Sequence, residues 1–302
     1  MLNKVSVFVI GAPKAGTTTL FDIVRKSENI ALPIVKEPNY FCDDVKASWD
    51  LHGNTDNFVK DWSKLALTST IGQFHSTRID ERAQYDFLFH HALNDQLRMD
   101  FSTNYLRSHH APKAIHSYNS CSKIVMMVRC PVARAWSHYK MDLRIGYHSH
   151  SFLHCLESER LAITQGQDSE FSYIRDSSYA DSYARYKAYF KSILVIDFDE
   201  FVYDQQTVVD QFCDFCSVDR LILEENISSN KAREARYSFI GPLTKSVFLK
   251  SLLKRFIPGS ATNVLREIIY MKSENKAVDY ARYARFFAGQ DIRPKAIEML
   301  DD

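Results

Sequence analysis

The segment from residue 5 to residue 19 constrains the fold more than any other part of the chain. It reads Val-Ser-Val-Phe-Val-Ile-Gly-Ala-Pro-Lys-Ala-Gly-Thr-Thr-Thr, an apolar run followed by a glycine-containing turn and three hydroxyl residues. This pattern predicts a buried strand, a phosphate-binding turn and the start of a helix. A Walker motif has lysine directly after its second glycine, whereas here Thr17 follows Gly16 and the lysine is Lys14. The turn therefore predicts anion binding and disfavours magnesium-nucleotide hydrolysis.

The backbone of this turn supplies the groups that bind an anion. The N–H groups from Ala15 to Thr18, together with the positive end of the helix that begins near Thr17, point to one spot beyond the strand. The hydroxyls of Thr17, Thr18 and Thr19 add donors. An ordinary strand-to-helix turn capped by threonine has a similar sequence, so this segment alone leaves both interpretations open.

Apolar runs bounded by turn residues alternate with helix-like segments over the first two thirds of the chain. This alternation predicts a three-layer α/β fold with a central parallel sheet of about five strands. After residue 230 such runs stop, and we expect a helical C-terminal extension or lobe within a single domain of residues 1–302. The predicted strands are 5–10, 30–32, 97–101, 124–128 and 193–196, and the predicted helices are 18–27, 81–93, 111–118, 132–144, 152–164, 179–191 and 207–216.

Composition and charge narrow the possible partners. The chain has 302 residues, 45% of them hydrophobic, and a net charge of +1, which argues against a nucleic-acid partner held by bulk charge.

The six cysteines lack framework spacing and are expected to be reduced thiols, and Cys213 and Cys216 are expected to pack in the core. With no secretory signal or apolar span of membrane length, we expect a cytoplasmic protein. Its oligomeric state stays open.

A second candidate anion site follows the strand predicted at 124–128. Arg129 ends that strand, and Pro131 suits the first position of a helix. Arg134, Ser137 and His138 recur at helical spacing, so they share one face of that helix. A guanidinium and a hydroxyl so placed can hold one phosphate, although a surface face of an amphipathic helix has the same pattern. Both candidate sites lie at carboxyl ends of strands, where α/β sheets bind ligands, so a ligand with two separated phosphate-like groups would span them.

The two motifs, in this order, resemble the 5′- and 3′-phosphate signatures of sulfotransferases that use 3′-phosphoadenosine 5′-phosphosulfate (PAPS). The resemblance is strongest to the carbohydrate branch that includes heparan sulfate and bacterial Nod-factor enzymes. Residues 36–41, Lys-Glu-Pro-Asn-Tyr-Phe, are similar to that branch's Glu-x-x-Phe-Phe segment. Residues 100–106, Asp-Phe-Ser-Thr-Asn-Tyr-Leu, are similar to its Glu-Lys-Thr-Pro-x-Tyr segment. The resemblance covers residues 5–216, with a weaker match afterwards.

This resemblance implies a mechanism and a set of site residues. Glu37 is the implied general base, with Asp100 as a second candidate, and Lys14 is implied to offset charge on the departing adenosine 3′,5′-bisphosphate (PAP). No metal is expected. Phe101 stands where animal relatives carry a second lysine, and Ser178 stands where relatives often have glycine. The residues implied to bind PAPS are Lys14, Ala15, Gly16, Thr17, Thr18, Thr19, Arg129 and Ser137, with Arg233 as a further candidate beside Lys231 and Arg236.

The predicted reaction is transfer of a sulfuryl group to a hydroxyl of a saccharide, glycolipid or other small acceptor. Two alternatives stay open: a nucleotide or small-molecule kinase with a related phosphate-binding turn, and a nucleotide-binding protein without activity. The segment 43–78 is a candidate acceptor region by position. Six aromatic residues are candidates for the acceptor side of the cleft or for the core: Tyr40, Phe41, Trp49, Phe74, Tyr105 and Tyr147.

Overall fold

The computed structural model describes most of the first three quarters of the chain and a few segments beyond it. The described residues are 4–46, 71, 74–76, 78–224, 233–235, 270–272 and 279–293. Among them, no helix is both long enough and apolar enough to cross a bilayer.

Five parallel strands form the central sheet, as the alternating pattern predicts. They are β1 (Val7–Gly11), β2 (Ile30–Ala31), β5 (Leu97–Asp100), β6 (Lys123–Val128) and β7 (Ile193–Asp197). Their order across the sheet is β2-β5-β1-β6-β7, and every pairing is parallel. The chain starts in the middle of the sheet and builds outwards on both sides. The carboxyl end of β1 is therefore flanked by β5 and β6, which is the position where open α/β sheets bind ligands.

Helices cover this sheet, and most lie where the sequence pattern predicts them. They are α1 (Thr17–Val24), α2 (Arg82–Phe87), α3 (Ala111–Tyr118), α4 (Pro131–Ile145), α5 (Phe152–Thr164), α6 (Tyr179–Lys187), α7 (Phe198–Tyr203), α8 (Gln205–Cys216) and α9 (Tyr280–Ala284). Single helical turns lie at Thr103–Tyr105 and Arg175–Ser177. Helix α6 begins directly after Ser178 without a side-chain cap. The three-layer α/β prediction is thus confirmed.

Two short strand pairs lie outside the main sheet. Strands β3 (Val35–Glu37) and β4 (Phe74–Ser76) pair in parallel. In the C-terminal region, β8 (Arg233–Ala235) and β9 (Tyr270–Lys272) pair in antiparallel fashion. The expectation that strands end before residue 230 was therefore wrong for these six residues, although α9 does supply a helix in this region.

A single apolar core holds the main sheet between its helices. Strands β1 and β6 are buried along almost their whole length, because a parallel sheet covered on both faces has no solvent face. Cys213 and Cys216 are buried in α8 as free thiols, in line with the predicted core packing. A second, smaller cluster joins α4, α5 and the residues that follow α9. The loops that leave the carboxyl ends of the strands are therefore anchored in a well-packed core.

Candidate active site

The loop between β1 and α1 has the backbone form of an anion-binding turn. Gly16 is the N-cap of α1 with φ of 92°, a left-handed conformation that glycine adopts at little cost. No side chain caps this helix start, so the N–H groups of its first turn remain directed at the space beyond the sheet. Thr17 is buried, and Thr18 and Thr19 are half-buried. The helix dipole adds partial positive charge at this point.

Lys14 lies in this loop, near more positively charged than negatively charged side chains. Its Nζ contacts Sδ of Met141 at 3.4 Å, and a thioether is only a weak acceptor. Burial, followed by the charge of Arg144, lowers the pKa of the Lys14 ammonium below its ordinary value. Two more arginines act in the same direction, and one aspartate opposes them. An anion bound here would offset this repulsion, so the surroundings of Lys14 suit a phosphate or sulfate group.

Arg129 reaches the same loop from β6. Val128 pairs with Asp197 in the sheet register, so the residues that follow, Arg129 and Phe198, leave the sheet side by side. The Arg129 guanidinium carbon lies 4.4 Å from the ring centroid of Phe198. Its Nη1 donates a hydrogen bond to the carbonyl oxygen of Lys14 at 3.3 Å. The structure thus brings the two candidate anion-binding motifs into direct contact.

One nitrogen of Arg129 has no acceptor. Its Nε is buried and makes no hydrogen bond to any residue in the described part of the chain. Buried donors in folded proteins are almost always paired, so an unpaired guanidinium N–H at the carboxyl edge of the sheet indicates a place for a ligand oxygen. This feature favours a second anionic group near Arg129.

Arg134 belongs to the framework of α4 and not to the anion site. It is fully buried, and it donates to Oγ of Ser177 at 2.6 Å and to the carbonyl oxygen of Tyr173 at 2.8 Å. Burial, followed by the charge of Arg134, lowers the pKa of His138 to about 3, which keeps that imidazole neutral at neutral pH. Ser137 is half-buried on the same helix. Arg134, Ser137 and His138 were expected to share one anion-binding face of this helix. The contacts of Arg134 show that its role is structural.

Glu37 ends β3 on the other side of the loop. Its Oε1 lies 2.9 Å from Nζ of Lys36, and its Oε2 accepts a hydrogen bond from the hydroxyl of Thr103 at 3.0 Å. The carbonyl of Thr103 packs so tightly on β1 that a Cβ at Gly11 would lie 3.1 Å from it. Glu37 is therefore linked, through one residue, to the strand end from which the phosphate-binding loop departs.

Asp100, the second candidate base, is occupied by structural contacts. It is fully buried at the end of β5, and its Oδ1 accepts from Ser102 at 2.7 Å. Its Oδ2 accepts from both Tyr85 and Tyr105 at 2.9 Å. Burial is the main cause that raises the pKa of Asp100 to about 6. These contacts favour Glu37 as the base.

Phe101 is a core residue, which accounts for the absence of a lysine at that position. Its side chain is fully buried and meets the ring of Phe21 edge to face, with centroids 5.3 Å apart. The ammonium of Lys36 lies 5.9 Å from the centroid of the same Phe21 ring. Phe101 and the ammonium of Lys36 therefore both contact the ring of Phe21.

The aromatic residues considered for the acceptor side fall into three groups. Two are buried in the core, two are half-buried, and two have side chains outside the described residues. They are, in that order, Phe41 and Tyr105, Tyr40 and Tyr147, and Trp49 and Phe74. Most of the candidate acceptor segment 43–78 also lies outside the described residues.

The late basic residues are only partly described. Arg233 begins β8, and the backbone of this strand contacts α4, the helix that carries Ser137. Lys231 and Arg236 lie outside the described residues. A role of Arg233 in holding the nucleotide stays a prediction.

Sequence reasoning missed three residues that shape the site: Lys36, Thr103 and Phe198. Lys36 and Thr103 contact the carboxylate of Glu37, and Phe198 supports Arg129. Phe198 could have been found from the pairing of β6 with β7, because both strands were predicted and Phe198 follows β7 as Arg129 follows β6. The contacts of Glu37 depend on how β3 meets the turn after β5, which no local pattern encodes.

The sequence matches a profile of the sulfotransferase family over residues 6–221. This match covers more than two thirds of the chain, including both phosphate-binding motifs. The chain belongs to the sulfotransferase family. The prediction of a PAPS-dependent sulfotransferase is thereby confirmed as to the class of enzyme and the general reaction, sulfuryl transfer. Membership of the carbohydrate branch stays a prediction.

One solved structure supports the fold, and two further sulfotransferase structures have weaker likeness. A sulfotransferase from Alicyclobacillus acidocaldarius is 22% identical and superposes with a TM-score of 0.59, over 87% of this chain and 94% of that one. A mouse sulfotransferase solved in complex with PAP is 13% identical, with a TM-score of 0.42 over 98% of this chain and 81% of that one. A sulfotransferase domain from the curacin biosynthetic pathway is 15% identical, with a TM-score of 0.44 over 72% and 76% of the two chains. No curated protein matches the sequence significantly.

Proposed function

We propose that this sulfotransferase moves the sulfuryl group of PAPS to a hydroxyl of a saccharide, glycolipid or related small acceptor. The observation that carries the proposal is the hydrogen bond from Arg129 to the carbonyl of Lys14. It joins the loop after β1 and the strand end of β6 at one edge of the sheet. A nucleotide with phosphates at its 5′ and 3′ positions offers two anionic groups to this edge.

The residues present fit that nucleotide. Lys14 and residues Ala15 to Thr19 would hold the 5′-phosphosulfate, mainly through the start of α1, since the N–H of Ala15 already donates to the carbonyl oxygen of Ala12 at 3.2 Å. Arg129, through its unpaired Nε, and Ser137 would hold the 3′-phosphate. PAPS, when bound, supplies a sulfuryl group with PAP as its leaving group.

Glu37 is the proposed general base. An acceptor hydroxyl has a pKa far above neutrality, so its proton must be removed as its oxygen attacks sulfur. Oε1 of Glu37 contacts Lys36 and Oε2 accepts from Thr103, and a carboxylate oxygen can accept more than one hydrogen bond. Lys14 offsets the negative charge that develops on the departing phosphate oxygen. Positioning and charge stabilisation, which dominate phosphoryl transfer, carry this reaction too.

Two further parts of the proposal concern organisation. We expect residues 1–302 to form a single sulfotransferase domain, with the region after residue 230 as an extension that helps to close the nucleotide site. A cytoplasmic location also stays a prediction. The acceptor class rests on the sequence resemblance to the carbohydrate branch.

Donor binding provides the first test. PAP without magnesium should raise the melting temperature of the protein, because a ligand that binds only the folded state stabilises it. ATP with magnesium should have a much smaller effect. The reverse order would favour a kinase and overturn the proposal.

Transfer provides the second test. Incubation with PAPS labelled in its sulfuryl group and a panel of oligosaccharides, glycolipids and simple phenols should give a labelled product. Preferred labelling of sugars would support the proposed acceptor class. PAP binding without transfer to any member of the panel would favour an inactive nucleotide-binding protein.

A further inference from the structure

Lys36 and Glu37 form a buried ion pair at the end of a strand. Consecutive residues in a strand normally point to opposite faces. Glu37 is the last residue of β3, and its carboxylate meets the ammonium of Lys36 at 2.9 Å. Lys36 is 3% exposed and Glu37 is 7% exposed, so water screens this pair very little.

The two buried side chains compensate each other's charge. A buried ammonium is unfavourable unless an anion compensates it. Among the described residues, Glu37 is the only acidic group within ion-pair distance of Lys36. Lys36 therefore favours the ionised form of Glu37, which is the form that can accept a proton from an acceptor hydroxyl.

The pair also fixes the direction of the carboxylate. Lys36 holds Oε1 and the hydroxyl of Thr103 holds Oε2, so rotation of the carboxyl group would break both contacts. The ammonium of Lys36 is itself confined beside the ring of Phe21 in α1. The carboxylate of Glu37 is thus held in one orientation before an acceptor arrives, as an efficient base requires.

We infer that Lys36 is a positioning residue for sulfuryl transfer, which keeps Glu37 ionised and correctly oriented. This inference rests on the proposed function. In the step concerned, the acceptor oxygen forms a bond to sulfur while its proton moves to Glu37. The bond from sulfur to the bridging oxygen breaks, and its electron pair stays on the phosphate of PAP. Lys36 acts through Glu37 and does not contact the reacting atoms.

A double-mutant cycle tests this role. The variants are Lys36→Met, Glu37→Gln and the two together, with Lys36→Arg as the conservative variant and Lys113→Met, an exposed lysine of α3, as the matched control. The assay measures kcat and KM with labelled PAPS and whichever panel acceptor the wild-type protein labels fastest. PAP affinity and melting temperature are measured for every variant.

Lys36→Met should lower kcat about a hundredfold, the scale expected for loss of general-base catalysis, and leave PAP affinity within about twofold. Lys36→Arg should recover most of that loss, because it restores the positive charge. In the Glu37→Gln background, Lys36→Met should have little further effect on kcat, since residues that act as a unit are non-additive. Lys113→Met should behave as the wild type.

Three results would overturn the inference. The first is near-normal kcat in Lys36→Met. The second is an equal further loss of kcat when Lys36→Met is added to Glu37→Gln, which would show that the two residues act independently. The third is a lower PAP affinity together with a lower melting temperature in both Lys36→Met and Lys36→Arg, which would show that the lysine only supports the fold. Absence of transfer by a wild-type protein that binds PAP would instead remove the proposed function, and this inference with it.

Discussion

Replacement of Gly16 by alanine tests how the phosphate-binding loop and Arg129 are connected. Gly16 has φ of +92°, and a Cβ added there would lie 3.1 Å from Cδ2 of Phe198 and 3.3 Å from Cε of Met127. Phe198 is also the ring on which the Arg129 guanidinium packs. Gly16→Ala should therefore strain the loop and displace the support of Arg129 at the same time.

The size of both effects can be worked from this geometry. A non-glycine residue in the left-handed region costs about 1–2 kcal/mol, and the tight contact with Phe198 brings the total to about 1–3 kcal/mol. For a chain of 302 residues, whose entropy of unfolding near the melting temperature is about 0.6 kcal/mol/K, that corresponds to a fall in melting temperature of roughly 2–5 °C. Disturbing the cation–π contact of Arg129, worth about 0.5–2 kcal/mol, should weaken PAP binding by about 2- to 30-fold.

Gly166 provides the matched control. It also has a positive φ, of +67°, but a Cβ added there would meet no atom within 4 Å. Gly166→Ala should lose about 1 kcal/mol of stability through backbone strain alone and bind PAP as the wild type does. Thermal unfolding with and without PAP, and calorimetric titration with PAP, measure both quantities. If Gly16→Ala binds PAP as tightly as Gly166→Ala, the proposed connection from Gly16 through Phe198 to Arg129 is refuted.

Three further predictions follow from the site and its framework. Lys14→Ala should leave the fold intact and lower kcat about a hundredfold in the labelled-PAPS assay, because it removes the cation opposite the leaving group; near-normal kcat would exclude this role. Arg129→Ala should weaken PAP binding by about 10- to 100-fold in calorimetric titration, whereas Arg220→Ala, an exposed arginine of the loop after α8, should not; equal affinities would remove the second anion site. Burial raises the pKa of Glu159 to about 7, so the folded protein holds this proton more tightly than the unfolded chain, and the contribution of Glu159 to stability falls as pH rises from about 4.5 to 7. The free energy of unfolding, measured with denaturant at pH 5, 6, 7 and 8, should therefore rise in Glu159→Gln relative to the wild type by about 1–3 kcal/mol over this pH range. Parallel curves of unfolding free energy against pH for the two proteins would contradict this.

Local signals were sufficient for most of the fold. Helices Ala111–Tyr118 and Phe152–Thr164 have the bounds that the sequence predicts, since α3 has proline in its first turn and Ser151 caps α5 by accepting from the N–H of His154. The five apolar runs became the five parallel strands. Helix α7 escaped prediction because its six residues follow β7 without a break and are too short for a periodic pattern.

The meeting of the two anion-binding motifs at one edge of the sheet was predictable, but the individual contacts between segments were not. The loop from Gly11 to Thr19 shows its anion-binding groups in its own sequence. The contact of Arg129 with Lys14 and the ion pair of Lys36 with Glu37 depend on strand order and on where a strand ends. In the sequence, Lys36 and Glu37 look like neighbours on opposite faces of a strand.

The proposed base is carried by a strand that is not part of the five-stranded sheet. Within the described part of the chain, strand β3 pairs only with β4, whereas the groups proposed to hold the nucleotide depart from β1 and β6. In the proposed assignment, donor recognition and proton removal are built on separate pieces of backbone, joined through the hydroxyl of Thr103. Such a division would leave evolution free to exchange the candidate acceptor segment after Glu37 while the nucleotide-binding loop stays the same.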